Sequence, residues 1–310
     1  MGLADFSVTT STGGNTTNLF ERIEVRNAYE RGFLKTGSAS LVFRNCAFTA
    51  CGTTRAANYN GRGGSFTGNA SSILAFERCT FAHNAYAGGS QNNLGSGLGA
   101  YMATWKRVYI DNTLFVSNGL SSAMVYGGYN GAGRDGNSGA AFYADNAPVT
   151  IRNTAFRANL AGVSANGIGG VAYLNGNCSG SLVKNCIFAG NACEQCHNNG
   201  FQTTRSCGVL VFSANNSART LDVENCTFAY NLIDGTYGTA GIDAYKGALT
   251  VRNTIFYGAK GGQSRACGKD IHVYADAAAR PSRTASSPAT TRTTAGPNSQ
   301  TTATAPARSS

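Results

Sequence analysis

The sequence predicts an all-β solenoid with three short strands per coil, about eight coils, and a single column of aromatic rings inside. Three observations predict it. The phrase Asn-(Cys/Thr)-x-Phe-x-x-Asn returns seven times in full or near-full form, beginning at Asn45, Arg78, Asn112, Asn153, Asn185, Asn225 and Asn253. Its spacing of 28 to 41 residues is that of a repeat architecture. Each copy follows a stretch of period-two hydrophobic alternation, and each coil also carries a glycine-led segment with an aromatic residue.

The alternating strand is clearest in LDVENCTFAYN. Leu221 and Val223 alternate with Asp222 and Glu224, the pattern of a strand with one buried face. Cys226 and Phe228 fall on the opposite parity, so the chain has to turn at Asn225. Asparagine tolerates left-handed backbone geometry and suits such a bend. The second asparagine, Asn231, is expected to close the next strand in the same manner. The other copies keep this phase through the pairs Leu41/Phe43, Leu74/Phe76, Val108/Ile110, Val149/Ile151, Ser181/Val183 and Leu249/Val251. A weaker copy, IEVRNA at 23–28, supplies Ile23 and Val25.

The third strand precedes these two in each coil. Its examples are Gly64 to Phe66, Gly99 to Tyr101, Gly139 to Tyr143, Gly170 to Tyr173, Gly208 to Phe212 and Gly241 to Tyr245. Stacked about 4.8 Å apart, successive coils align Phe48, Phe81, Phe115, Phe156, Phe188, Phe228 and Phe256 in one column. Each buried ring is worth roughly 1.5–3 kcal/mol, which accounts for the motif without any function.

These glycine-led segments and the boxes FAHN, FVSN, FRAN, FAGN and FAYN resemble right-handed parallel β-helix repeats of the pectin-lyase-like class. More narrowly, they are similar to the passenger repeats of polymorphic outer-membrane, autotransporter-type proteins. The resemblance spans roughly residues 20–275 and implies a parallel β-helix there. Residues 1–19 form a lead-in or partial coil, and 276–310 a tail. The sequence departs from a full autotransporter in carrying no C-terminal translocator barrel.

Enzymes of the pectin-lyase-like class need clustered carboxylates that bind Ca²⁺ or act as acid and base. The outward position two before each Cys/Thr reads Arg26, Arg44, Glu77, Asp111, Arg152, Lys184, Glu224, Arg252. Stacked neighbours there are often opposite in sign, as in Arg44–Glu77, Asp111–Arg152, Lys184–Glu224 and Glu224–Arg252, which reads as a solvated ladder of cross-strand pairs. Only Glu77 and Asp111 are adjacent acids, so they are the candidate catalytic or cation-binding pair. The polygalacturonase boxes NTD, DD, GHG and RIK do not occur, and His83, His197 and His272 lie far apart. Asp145 and Asp243 follow aromatic strands and are expected to point outward, each without an acidic companion nearby in sequence.

The ten cysteines divide into two groups. Cys46, Cys79, Cys186 and Cys226 occupy the internal position that Thr113, Thr154 and Thr254 fill elsewhere, which reads as small buried side chains and thiols. Cys46 and Cys79 lie in adjacent coils, although stacked strand positions often miss disulfide geometry. Cys178, Cys193, Cys196 and Cys207 cluster around one long connection. Cys193, Cys196, His197 and Cys207 match the spacing of a zinc site loosely, and a disulfide or unpaired thiols are the competing reading. No cofactor is called for.

Connections after the FxxN box vary in length and leave the same corner. The longest contains Tyr126, Tyr129 and Asn130, the candidate contact residues for carbohydrate or protein. Tolerated insertion is the plainer account of such loops.

Composition sets the tail apart from the body. Pro148 is the only proline before residue 281, and four more crowd into the last thirty positions. The Thr/Ser/Ala/Pro tail has no apolar periodicity and is expected to be disordered. The net charge is +10, but the tail holds four arginines and no acids, leaving 21 basic against 15 acidic groups in the body. That excess forms no visible stripe, which argues against a nucleic-acid binder. No segment is long and apolar enough to span a membrane. The start lacks the basic and apolar regions of a secretory leader and reads as a fragment or truncated frame. Ten cysteines, few lysines and the Ser/Thr-rich tail point to an extracellular or cell-surface protein. The function expected is a non-enzymatic rod presenting one flank for adhesion or for glycan or host-protein contact. The alternatives are a polysaccharide lyase or hydrolase, or a spacer.

Overall fold

The computed structural model describes residues 6–9, 16–52, 61–86, 97–120, 138–162, 169–196, 207–235, 239–261, 269–273, 279–281 and 285–286. They form a right-handed parallel β-helix with no α-helix. Every strand pairs in parallel with its counterparts one coil away, which gives four sheets along the rod. The glycine-led strands, from Phe6–Thr9 to Lys269–Val273, make a nine-stranded lead sheet. The alternating strands, from Thr17–Glu21 to Ala279–Pro281, make a second of nine. The strands holding the motif phenylalanine, from Glu24–Arg26 to Ala285–Ser286, make a third of nine. A short fourth strand supplements the three expected per coil. It is present in six coils, from Ala85–Tyr86 to Lys260–Gly261, and follows the second asparagine in five of them and Ala259 in the last.

The bends follow from single residues. Asn45, Asn112, Asn153, Asn185, Asn225 and Asn253, with Arg22 and Arg78 in the same position, all have φ between +47° and +56°. They turn the alternating strand into the motif strand, as the asparagine type predicts. The weaker copy at 23–28 is out of the expected phase: Val25 is in register with Phe48, so Asn27 follows its motif strand and Arg22 precedes it. The second bend differs from expectation. The left-handed residue there is the one before the second asparagine: Ala50, His83, Ser117, Ala158, Gly190, Tyr230 and Gly258, with φ from +50° to +62°. Asn231 therefore does not make the bend; Tyr230 does.

The second asparagine is instead buried, and its amide completes the coil's polar accounting. Asn84, Asn118, Asn159, Asn191 and Asn231 are all 1 % exposed or less. Each Nδ2 donates to the carbonyl of the preceding coil's phenylalanine, as Asn159 does to Phe115 at 3.0 Å. From Asn84 to Asn191, Nδ2 also donates to Oδ1 of the next asparagine at 2.9–3.1 Å. Each Oδ1 accepts in addition the backbone N–H of the residue one coil before. A bend buried in the core would otherwise leave these backbone groups unpaired, at a cost of about 1–3 kcal/mol each. Cys51, which replaces the asparagine in its coil, ends the ladder by donating its backbone N–H to Asn84 Oδ1 at 3.1 Å.

Beside the amides stand the phenylalanines. The seven rings stack with centroid spacings of 4.5–5.1 Å and nearly parallel planes. Next to them lies the Cys/Thr column, fully internal, whose thiols and hydroxyls donate to backbone carbonyls two residues earlier or in the previous coil. Cys46, Cys51, Cys79, Cys178, Cys186 and Cys226 are buried thiols, so Cys46 and Cys79 are stacked but not bonded. Burial pushes the Cys79 thiol up to about 12, leaving it unreactive at neutral pH.

Within 276–310, the described residues are the two short strands Ala279–Pro281 and Ala285–Ser286. The rest of the stretch expected to be disordered lies outside the described residues. No helix among the described residues is long and apolar enough to cross a membrane.

Candidate functional site

A run of tyrosines with an aspartate and a histidine lies on the outward parity of the lead sheet. One outward column runs Leu34, Ser65, Tyr101, Tyr143, Tyr173, Val211, Asp243, His272 in register. Parity within the strand places them there. Phe142 and Leu210 point inward, and Tyr143 and Val211 alternate with them on the outside. The next outward column runs Thr67, Ala103, Asp145, Asn175, Ser213, Tyr245.

Tyr101, Tyr143 and Tyr173 stack along the rod, with centroids 5.7 and 5.1 Å apart and planes within 12° of parallel. Their faces cover one another; Tyr101 and Tyr143 are half-buried, and Tyr173 is buried. Burial, followed by the charge of Asp145 and a hydrogen bond to it, pushes the Tyr101 phenol up to about 12. Burial drives Tyr143 and Tyr173 upward as well. All three therefore remain protonated at neutral pH, as hydrogen-bonding groups rather than bases. Asp145 accepts from the amides of Asn146 at 3.1 Å and Asn175 at 3.0 Å. Further along, the fully buried Asp243 carboxylate faces His272 Nδ1 at 3.1 Å. This contact orients the imidazole.

Asp145 and Asp243 are three coils apart, about 14 Å at the ~4.8 Å rise per coil. A glycosidase carboxylate pair spans roughly 5–9.5 Å, so these two do not form one.

The proposed acidic pair stands elsewhere, on the outer face of the alternating sheet. Glu77 and Asp111 are in register in adjacent coils, and each is already engaged. Glu77 Oε2 accepts from Arg44 Nε at 2.8 Å. Asp111 accepts from Asn112 at 3.1 Å and Asn153 at 2.9 Å. The rail of alternating charges continues as Lys184–Glu224 at 3.1 Å and Arg252–Glu224 at 3.2 Å. Asp111 is in register with Arg152, while its oxygens serve the asparagine amides. His83 sits exposed at its strand end.

Of the candidate metal set, Cys193 is buried in register between Ala161 and Ile233, an apolar column. Cys196 and Cys207 lie on strands in register with Gly235 and Gly169, and His197 lies outside the described residues. Among the described residues no three metal-ligating side chains converge. Tyr126, Tyr129 and Asn130 also lie outside the described residues, but the anchors of their connection do not. The strands Gly119–Leu120 and Ser138–Asp145 flank it.

The same holds for six further connections. Segments 53–60, 87–96, 121–137, 163–168, 197–206, 236–238 and 262–268 each leave after the motif or fourth strand and return at a lead strand. Their described ends therefore share one corner of the coil.

A second surface is aromatic and open. Tyr230 and Tyr257, 62 % and 50 % exposed, meet edge to face at 5.2 Å at the end of the motif strands, near the exposed Ile255. The sequence gives little sign of it, because no other copy carries an aromatic ring at the Tyr257 position and the Tyr230 position holds Ala, Ser, Gly or His83 in the other six copies. The tyrosine column was partly legible, since each of its strands carries an aromatic; what the parity adds is that the phenylalanines face in and the tyrosines out.

No protein-family model matches the chain, and no curated protein or solved structure matches it.

Proposed function

We propose that this chain is a non-enzymatic, extracellular or cell-surface module, a rod of the polymorphic-repeat type that binds a glycan or protein along one flank. The observation that supports this reading best is the shared corner. The described ends of seven segments, three to seventeen residues long, meet the rod at the corner that leads into the lead sheet. The outer face of that sheet carries the half-buried Tyr101 and Tyr143, the Asp145–Asn175 pair and His272. A repeating rod supplies rigidity, and unrepeated segments on one side supply specificity. Neutral phenols, amides and a carboxylate at coil spacing suit a hydroxyl-rich or polar extended ligand. By contrast Glu77 and Asp111 serve the surface rail, where their oxygens already have partners.

Two assays decide between this reading and a depolymerising enzyme. Purified protein is applied to an array of glycans and cell-surface proteins, and separately incubated with pectin and alginate with and without Ca²⁺. Binding without new reducing or unsaturated ends is the expected outcome. Release of such ends, abolished by Glu77→Gln or Asp111→Asn, would establish the enzyme instead. A blank array with no release would leave the rod as a spacer and sink the proposal.

A further inference from the structure

The inward columns of the lead sheet hold one side chain that does not belong to an apolar core. Lys35 is in register with Phe66, Met102, Ala144, Leu174, Phe212 and Ala244. Like them it is fully buried. Its ammonium lies 4.2 Å from the centroid of the Trp105 ring. It donates to the carbonyls of Gly37 and of Thr67, the latter at 3.1 Å. Trp105 is itself fixed, its Nε1 donating to the Phe66 carbonyl at 3.0 Å.

The elements around this amine carry almost no other charge. Its own strand Phe33–Thr36 and the neighbouring Gly64–Thr67 contain no other titratable residue. Ala100–Ala103 contributes Tyr101, which register places on the outer face. From the alternating sheet, Phe20, Phe43 and Phe76 face inward, while Glu21, Arg44 and Glu77 share the outward parity. Arg62, the other buried cation of these coils, packs against Gly52 and donates to the Glu30 carbonyl. The lysine thus has dipoles and an indole face for partners and no facing carboxylate among the described residues.

We infer that Lys35 is a proton-operated switch in the core of the N-terminal coils, whose discharge in mildly alkaline solution tightens the second to fourth coils. A buried ammonium without a counter-ion favours its neutral form, and cation–π contact and two carbonyls offset only part of the desolvation. Burial accordingly brings the amine from 10.5 down to about 8. Between those two values the unfolded chain binds more protons than the folded one, so stability rises with pH across that window. Below it both states are protonated and the contribution is flat.

Trp105 is the only tryptophan in the chain, so it reports on this site alone. Its fluorescence and the urea midpoint are followed from about pH 6.5 to 10, below the ordinary range of lysine. The expected result is an emission change with a midpoint near 8, accompanied by a rising urea midpoint. Lys35→Met and Lys35→Arg should both lack the emission change, the first by removing the amine and the second by keeping a permanent charge. Circular dichroism checks that each variant folds; if Lys35→Met does not, Lys35→Arg alone decides. A flat wild-type titration, or the same transition in a folded variant, overturns the inference.

Discussion

The two asparagines of the repeated phrase look alike in sequence and do opposite work. The first sits at the surface with left-handed φ, where its amide makes only exposed hydrogen bonds and its backbone tolerance makes the bend. The second is sealed in the core, where only its amide matters. Asn159→Ala strips partners from the Asn118 N–H, the Phe115 carbonyl and the neighbouring ladder amides. It should cost about 3 kcal/mol, read as a shift in the urea midpoint. Asn153→Gly keeps the bend and should stay within about 1 kcal/mol of wild type by the same measurement. Equal losses at the two positions would contradict the division of labour. The bend was legible because asparagine is one of few residues suited to it. The ladder was not, because burial of an amide leaves no mark in spacing or hydrophobicity. Cys51 gives the one hint, since its replacement of the asparagine is a core residue rather than a bend former.

At the scale of the strand, the ordering of energies is set by burial. Phe188 stacks at 4.5 Å on both Phe156 and Phe228. Phe188→Ala should therefore destabilise by about 3–5 kcal/mol in the same assay, opening a cavity that rigid neighbouring coils cannot close. The charged rail is weaker. Lys184, then Arg252, hold the Glu224 carboxylate below its ordinary value of 4.5. A carboxylate depressed in the folded state stabilises above its unfolded value and loses that contribution as pH falls through the folded one. Glu224→Gln should thus cost a fraction of a kcal/mol at neutral pH, less in high salt, and nothing in strong acid. Thermal midpoints at two salt concentrations and two pH values check this. A large, salt-independent loss would show the rail to be structural in a way that surface pairs are not. The rail was legible from alternating signs at one repeat position. Only the diversion of Asp111 to Asn112 and Asn153 required the fold.

Across the whole molecule, nine stacked strands give a rod about 38 Å long at ~4.8 Å per step. Its architecture was almost entirely present in the sequence because every coil repeats the same physical solution. The candidate site was legible only in outline, because the segments beside the lead sheet repeat nothing and so carry no period to read. Tyr101, Tyr143 and Tyr173 needed the register to be placed together on one outer face. The exposed Tyr230–Tyr257 pair offers an internal control on another face. The most direct test compares three proteins on the same glycan and cell-surface array: wild type, a Tyr126→Ala/Tyr129→Ala/Asn130→Ala variant, and a Tyr230→Ser/Tyr257→Ser variant. Binding should fall at least about tenfold in the first variant, the loss expected of central contacts, and stay within about twofold of wild type in the second. Loss confined to the Tyr230/Tyr257 variant would place recognition on the motif sheet and contradict the assignment of function to the lead-sheet flank.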